Sequence, residues 1–214
     1  LTLRLTLLND KEFAPTQQEQ VDDAVVELRS ATYAISDVQK TERTRASLAP
    51  FTTSTIQQTA ANRLGWSAKQ TMQIAQNLYE EGCITYHRTD SVVLSVQALE
   101  MARGYIPAQF GKQYLPSTAR VFKTSSKNAQ EAHEAIRPTH VETTDISGIG
   151  ALGPRHQKLY DLIWRRFLAS QMESAVYDQT TVFAQAKHAA NTYGLKANGS
   201  ILRFDGWMKL FPNQ

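Results

Sequence analysis

The sequence predicts a multidomain α+β protein, with a helical domain inserted into a β-rich domain that both chain ends build. Three observations carry this expectation. The opening LTLRLTLL alternates, placing Leu1, Leu3, Leu5 and Leu7 on one face and Thr2, Arg4 and Thr6 on the other, as a half-buried strand does. Near the other end, VYDQTTVFAQAK and NTYGLKANGSILRFDGW return to a period of two. Between them the apolar spacing is helical. The boundaries fall at 1–47 and 173–214 for the β-rich part and at 48–172 for the helical part.

Taken in order, residues 17 to 30 place Val21, Ala24, Val25 and Leu28 at helical spacing, and 31 to 40 read as a strand. TERTRASLAP then reads as a connector. A helix follows Phe51, with Gly65 placed to stop it. Ser67 caps the next helix, whose apolar face is Ala68, Met72, Ala75 and Leu78 or Tyr79. Gly82 ends it, and CITY reads as a strand. Helix, short turn, helix, strand is the order of a winged helix-turn-helix unit. Ser95 is a further N-cap, with Leu94 and Leu99 as a hydrophobic staple. Gly153-Pro154 opens a long helix. Asn198-Gly199 is a strong two-residue turn signal, because both positions tolerate positive φ, and it predicts a hairpin there.

Composition narrows the class. The 214 residues are 42% hydrophobic and 20% charged, with a net charge of +3, which is globular with a mild cationic bias. One cysteine, Cys83, excludes an internal disulfide framework and any cysteine-rich zinc site, and fits a reducing, intracellular setting. No apolar run reaches membrane-spanning length, so no membrane partner is expected. The chain starts at Leu1 inside an apparent strand and without an initiator Met, which reads as a piece of a longer protein.

The chemistry concentrates in CITYHRTDS, residues 83 to 91. A strand tyrosine is ordinarily core, with its hydroxyl on a backbone partner. Here Tyr86 is followed two residues later by Arg88 and then by Asp90, so an extended chain puts all three on one face. A phenol ionises near pH 10 and needs help to attack an electrophile at neutral pH. A guanidinium beside it supplies that help and binds phosphate in bidentate fashion, which suits phosphoryl transfer to a tyrosine. Asp90 orients Arg88 or caps the turn before Ser91. In QEAHEAIRPTHV, His133 and Arg137 stand four apart, one turn along a helix face that Pro138 ends, and make a small anion-binding pair. No nucleophile elbow, no Gly-rich phosphate loop and no carboxylate cluster suited to Mg²⁺ is visible, so no metal ligand is assigned.

ITYHRTDS resembles the active-site tyrosine motif of type IA DNA topoisomerases, and EAHEAIRPT resembles a second motif of the same family at a fitting distance downstream. FTTSTIQQTAANRLGWSAKQTMQIAQNLYEEG is similar to the segment that leads into that tyrosine, and ILRFDGW to the bacterial type I branch of the family. The resemblance runs essentially from end to end. It implies that Tyr86 attacks a phosphodiester of single-stranded DNA, forms a 5′-phosphotyrosyl bond and relaxes negatively supercoiled DNA without ATP. Arg88 then stabilises the phosphotyrosine chemistry, His133 contacts DNA phosphate, and Thr85, Asp90 and Arg137 take supporting roles. The implied architecture is a toroid, in which a β-rich arch (the two chain ends here) lifts a helical tyrosine domain. The family's Mg²⁺-binding Toprim domain has no counterpart in this sequence, nor do the other toroid domains, so the isolated chain is expected to be inactive. The implied location is the bacterial cytoplasm, at the nucleoid.

Two other readings remain open at this level. A non-enzymatic helix-turn-helix module would bind duplex DNA and use Tyr86 as core, but AKQTMQIAQNLYEE is poorly basic for that. A tyrosine recombinase would need more arginines and histidines around the nucleophile than the motif contains.

Overall fold

The computed structural model describes residues 2–122 and 134–211. The chain divides into two compact units, Leu1–Arg45 with Val176–Phe204, and Ala46–Ala175 with Asp205–Gln214.

The first unit is a five-stranded sheet in the order β2-β1-β5-β4-β3. The strands are β1 (Arg4–Leu8), β2 (Lys11–Glu12), β3 (Thr32–Arg45), β4 (Ala175–His188) and β5 (Asn191–Phe204), and helix α1 (Gln18–Ser30) lies between β2 and β3 in sequence. β1 pairs antiparallel with β2 and β5, and β4 pairs antiparallel with β5. Ala24 of α1 packs with Ala184, Ala186, Tyr193 and Leu195, with Leu3, Leu5, Leu8 and Leu28 around them. α1 is also tied down by Glu27, which accepts hydrogen bonds from Tyr193 Oη at 2.7 Å and Asn191 Nδ2 at 2.9 Å. Burial and the bond to Glu27 push the Tyr193 phenol up to about 12. Gly194 permits close packing, since a Cβ there would stand 2.9 Å from Leu7 Cβ.

The hairpin is not where the Asn-Gly signal predicted. β4 and β5 pair without a break from Tyr177↔Leu202 to His188↔Asn191, and the chain reverses at Ala189 and Ala190, with Ala189 at φ 49°. Asn198 and Gly199 face Thr181 and Thr180 within the ladder. The reason is register. Tyr193, Leu195 and Ala197 are buried alternately on β5, and a turn at 198 would forfeit the pairing that puts them on the core face. The strand predicted for 31 to 40 also runs on through the expected connector to Arg45.

The second unit contains α2 (Thr53–Leu64), α3 (Ala68–Glu80), α4 (Val96–Phe110) and α5 (Pro154–Gln171). Its helix starts follow the capping rules: Ser67 Oγ accepts from Gln70 N at 3.2 Å and Ser95 Oγ from Ala98 N at 3.2 Å. Gly65, at φ 69°, ends α2 in the left-handed region. Phe51, Ile56, Ile74, Leu78, Ile84, Ile136, Leu159 and Ile163 belong to one core. Between α2 and α5 the described residues hold no strand, so the expected CITY strand and its wing are replaced by two isolated bridges, Phe51↔Ile136 and Ile84↔Pro138. Residues 205–211, grouped with the β-rich part by their period, belong instead to this unit. Trp207 and Leu210 are buried, Trp207 N donates to Glu173 O at 2.9 Å, and Arg165 Nη1 donates to Leu210 O at 3.0 Å.

Candidate active site around Tyr86

The segment 134–139 is the scaffold on which the tyrosine loop rests. The helix expected to end at Pro138 is absent from residues 134–137, whose only regular feature is the isolated bridge at Ile136. Backbone donors of the segment are spent on distant acceptors: Ala135 N on Val93 O, Ile136 N on Phe51 O and Thr139 N on Cys83 O, at 2.9, 2.9 and 3.0 Å. Pro138 also disfavours helical φ/ψ at Arg137. Ala135 and Ile136 are fully buried, so the segment runs through the core of the unit.

Thr85 fastens the loop to that scaffold. Its N–H donates to Arg137 O at 2.9 Å, its hydroxyl donates to Ala135 O at 2.7 Å, and it accepts from Arg137 N at 3.0 Å. Four residues on, Thr53 at the start of α2 holds the loop's other side. Its hydroxyl lies 2.8 Å from His87 O and accepts from Thr89 N at 2.9 Å, while Thr53 N donates to Thr89 O at 2.9 Å. Thr89 Oγ1 accepts from Ser91 N, and Ser91 Oγ from Val93 N. No ladder is present, yet the loop is held at both ends.

Between these ties, burial alternates. Tyr86, Arg88 and Asp90 are exposed, while His87, Thr89 and Ser91 are buried. The period of two read from the sequence survives without a strand. Tyr86 is 46% exposed, and its ring meets Tyr79 and His87 edge-on, each at a centroid distance of 5.3 Å. The phenol is thus held by ring contacts while the residue stays half exposed. His87 is 1% exposed, and both its ring nitrogens are sealed without a hydrogen-bond partner. Burial, reinforced by the Arg88 charge and opposed by Glu80, holds its imidazole below the ordinary histidine range.

Arg137 is not displayed on a helix face. Its Nε and Nη2 donate to the two carboxylate oxygens of Glu134 at 3.1 and 2.9 Å, and Nη1 donates to Pro138 O at 3.0 Å. Glu134 also accepts from Ser95 N at 2.7 Å, which ties α4 to the scaffold. Burial disfavours the Glu134 carboxylate, but the bonds from Arg137 and Ser95 and the guanidinium charge outweigh it and lower its pKa. His133 lies outside the described residues. Sequence reading missed Thr53, His87 and Glu134 as site residues. The paired threonines of FTTST are the one local signal for the first, and the other two carried none.

The whole-chain comparisons agree on one family. The family model described as DNA topoisomerase matches residues 5–214. The chain belongs to the DNA topoisomerase family. It is 50% identical over 212 residues to DNA topoisomerase 1 of Pasteurella multocida, and 48% identical over 212 residues to that of Escherichia coli. In each case the match covers 99% of this chain and 24% of the relative. Full-length topoisomerase I from Thermotoga maritima matches in structure with a TM-score of 0.76 at 34% identity, covering all of this chain and 34% of that one. The chain therefore spans about a quarter of the length of the Pasteurella and Escherichia relatives and about a third of the Thermotoga chain. Among its described residues, no group of three or more His, Cys, Asp or Glu is placed to hold a metal ion, and no helix is long and apolar enough to cross a membrane.

Proposed function

We propose that this chain is the tyrosine-bearing segment of a type IA topoisomerase that cuts and reseals single-stranded DNA and relaxes negatively supercoiled DNA. The observation that supports this most is the half-exposed Tyr86 on a loop tied at Thr85 and Thr53, in a chain of this family. Tyr86 Oη attacks a backbone phosphorus. The Oη–P bond forms and the P–O3′ bond breaks; the phenolic proton passes to solvent, and the departing oxygen takes up a proton to become a free 3′-hydroxyl. The chain then holds the 5′ end as a phosphotyrosyl ester. Attack by the 3′-hydroxyl reverses each step. One phosphodiester is exchanged for another, so no ATP is required.

Arg88 stabilises the phenolate and the phosphate charge, and Asp90 orients Arg88. His133 contacts DNA phosphate. Thr85 and Arg137, whose polar groups are engaged inside the protein, act by holding the loop in place. Mg²⁺, in this proposal, offsets phosphate charge in the whole enzyme; the described residues offer no ligand set for it, and its carboxylates belong to a Toprim domain outside this chain. The sheet unit serves as the arch, the remaining toroid domains complete the gate, and the enzyme works at the bacterial nucleoid in the cytoplasm.

The test is covalent trapping. This chain is mixed with a separately made Toprim-containing fragment, Mg²⁺ and a 3′-labelled single-stranded oligonucleotide, then denatured. Label on this chain that disappears in Tyr86→Phe is the expected result, with no plasmid relaxation by this chain alone. Absence of label, with DNA binding and association of the two fragments demonstrated, would overturn the proposal in favour of a helix-turn-helix DNA-binding module.

A further inference from the structure

We propose that His87 is the positioning residue for Tyr86: neutral, it seats the tyrosine ring, and its protonation releases that seat. The proposal rests on the reading of Tyr86 as the nucleophile. Three rings form one cluster, with Tyr79 of α3 5.3 Å from Tyr86 and 5.8 Å from His87, and Tyr86 5.3 Å from His87. The two tyrosines are 40% and 46% exposed, and His87 beneath them is 1% exposed. The imidazole is the inner wall on which the outer rings rest.

That wall has an unusual property. Both His87 nitrogens are buried with no hydrogen-bond partner. A neutral imidazole needs one donor and one acceptor satisfied; a protonated one needs two donors satisfied and carries a charge as well. Unpartnered buried polar atoms are expensive, and a buried unpaired charge more so. The backbone at this position does not relax freely, because Thr53 holds His87 O and Thr89 N. The side chain is therefore the part that moves when a proton binds.

The charged and titratable groups around the imidazole set the direction. Tyr79 and Glu80 face it from α3, and Tyr86 and Arg88 from its own loop, while the Thr53 hydroxyl of α2 bonds the His87 carbonyl. Glu80 favours the protonated ring, Arg88 disfavours it, and burial disfavours it most. At neutral pH the ring is neutral and the seat is intact. On acidification the ring gains a proton and turns toward water or Glu80, and Tyr86 loses the edge contact that aims it. Tyrosine placement, and with it the attack on phosphate, is thereby coupled to one imidazole.

The measurement is an NMR titration of this chain from about pH 8 to about pH 5, a span that brackets the ordinary histidine range. The ring resonances of His87 and Tyr86 are followed, assigned through His87→Gln and Tyr86→Phe. The expected result is a His87 midpoint below that of an exposed histidine and a Tyr86 ring shift with the same midpoint. In His87→Gln, Tyr86 is flat over that range. Tyr86 resonances that ignore pH in the unaltered chain would overturn the proposal, a result that needs no variant. So would a Tyr86 shift that keeps its midpoint in His87→Gln or, should that variant fold poorly, in His87→Asn. The trapping reaction separates the two claims. Adduct yield in the unaltered chain should fall with acid at the His87 midpoint, with that component lost in the glutamine variant. A coupled titration without any adduct would sink the cleavage reading and leave the coupling; an adduct without coupled titration would do the reverse.

Discussion

Two arginine–glutamate pairs, one in each unit, show how differently the same chemistry is used. In the sheet unit, Arg203 pairs with Glu42 and stands 3.5 Å from Asp178, with side chains about half exposed. In the helical unit, Arg137 and Glu134 are 10% and 27% exposed, and their polar atoms also bond Pro138 O and Ser95 N. The first pair decorates a ladder whose backbone bonds already hold the strands. The second replaces a ladder: it fixes an irregular segment that no regular hydrogen-bond pattern would hold. Removing water from a charge is costly, so such a pair is retained where geometry depends on it.

Breaking the buried pair should give the largest effect. Arg137→Ala leaves the partly buried Glu134 carboxylate without its partner and should cost about 3 kcal/mol in urea unfolding. The same pair predicts an acid limb. The Glu134 pKa is lowered on folding from 4.5, so its contribution is present above that value and is lost as pH falls through the folded-state pKa. Arg137→Ala should flatten that limb, and an unchanged limb would assign it to other carboxylates. Thr53→Val comes next. It removes the hydroxyl shared by His87 O and Thr89 N and leaves buried backbone groups unmet, for about 1–3 kcal/mol in the same measurement. Arg203→Ala should cost less than about 1 kcal/mol, since exposed pairs contribute little; a loss equal to that of Arg137→Ala would erase the contrast between the units. Tyr86→Phe should be smallest, within about 0.5 kcal/mol, because it removes one hydroxyl from a half-exposed ring. A large loss there would mark Tyr86 as a core tyrosine.

Much of the fold is legible in the sequence. Ser67, Ser95 and Gly65 act where the sequence placed them, because capping is a bond between a side chain and its own neighbouring backbone and needs no distant partner. The side alternation of Tyr86, Arg88 and Asp90 was legible for the same reason: extended backbone puts residues two apart on one side. Arg137 was misplaced because its spacing from His133 fits a helix only if local bonding wins, and at 134–137 distant acceptors win. Asn198-Gly199 failed likewise, since local turn preference is worth less than the register that buries Tyr193, Leu195 and Ala197.

The sequence by itself therefore determined the start of α3 and α4, the end of α2, the side on which the tyrosine cluster faces and the family to which the chain belongs. Each of these depends on residues a few positions apart, or on a linear pattern. The tertiary structure alone decided that the tyrosine loop is no strand, that residues 134–139 form its scaffold, that Thr53 and Thr85 hold it and that His87 is sealed beneath it. The first three rest on contacts between residues separated by more than thirty positions, such as Thr53 with Thr89 and Thr85 with Ala135. Their energy comes from desolvated partners meeting in space, and no local spacing records it.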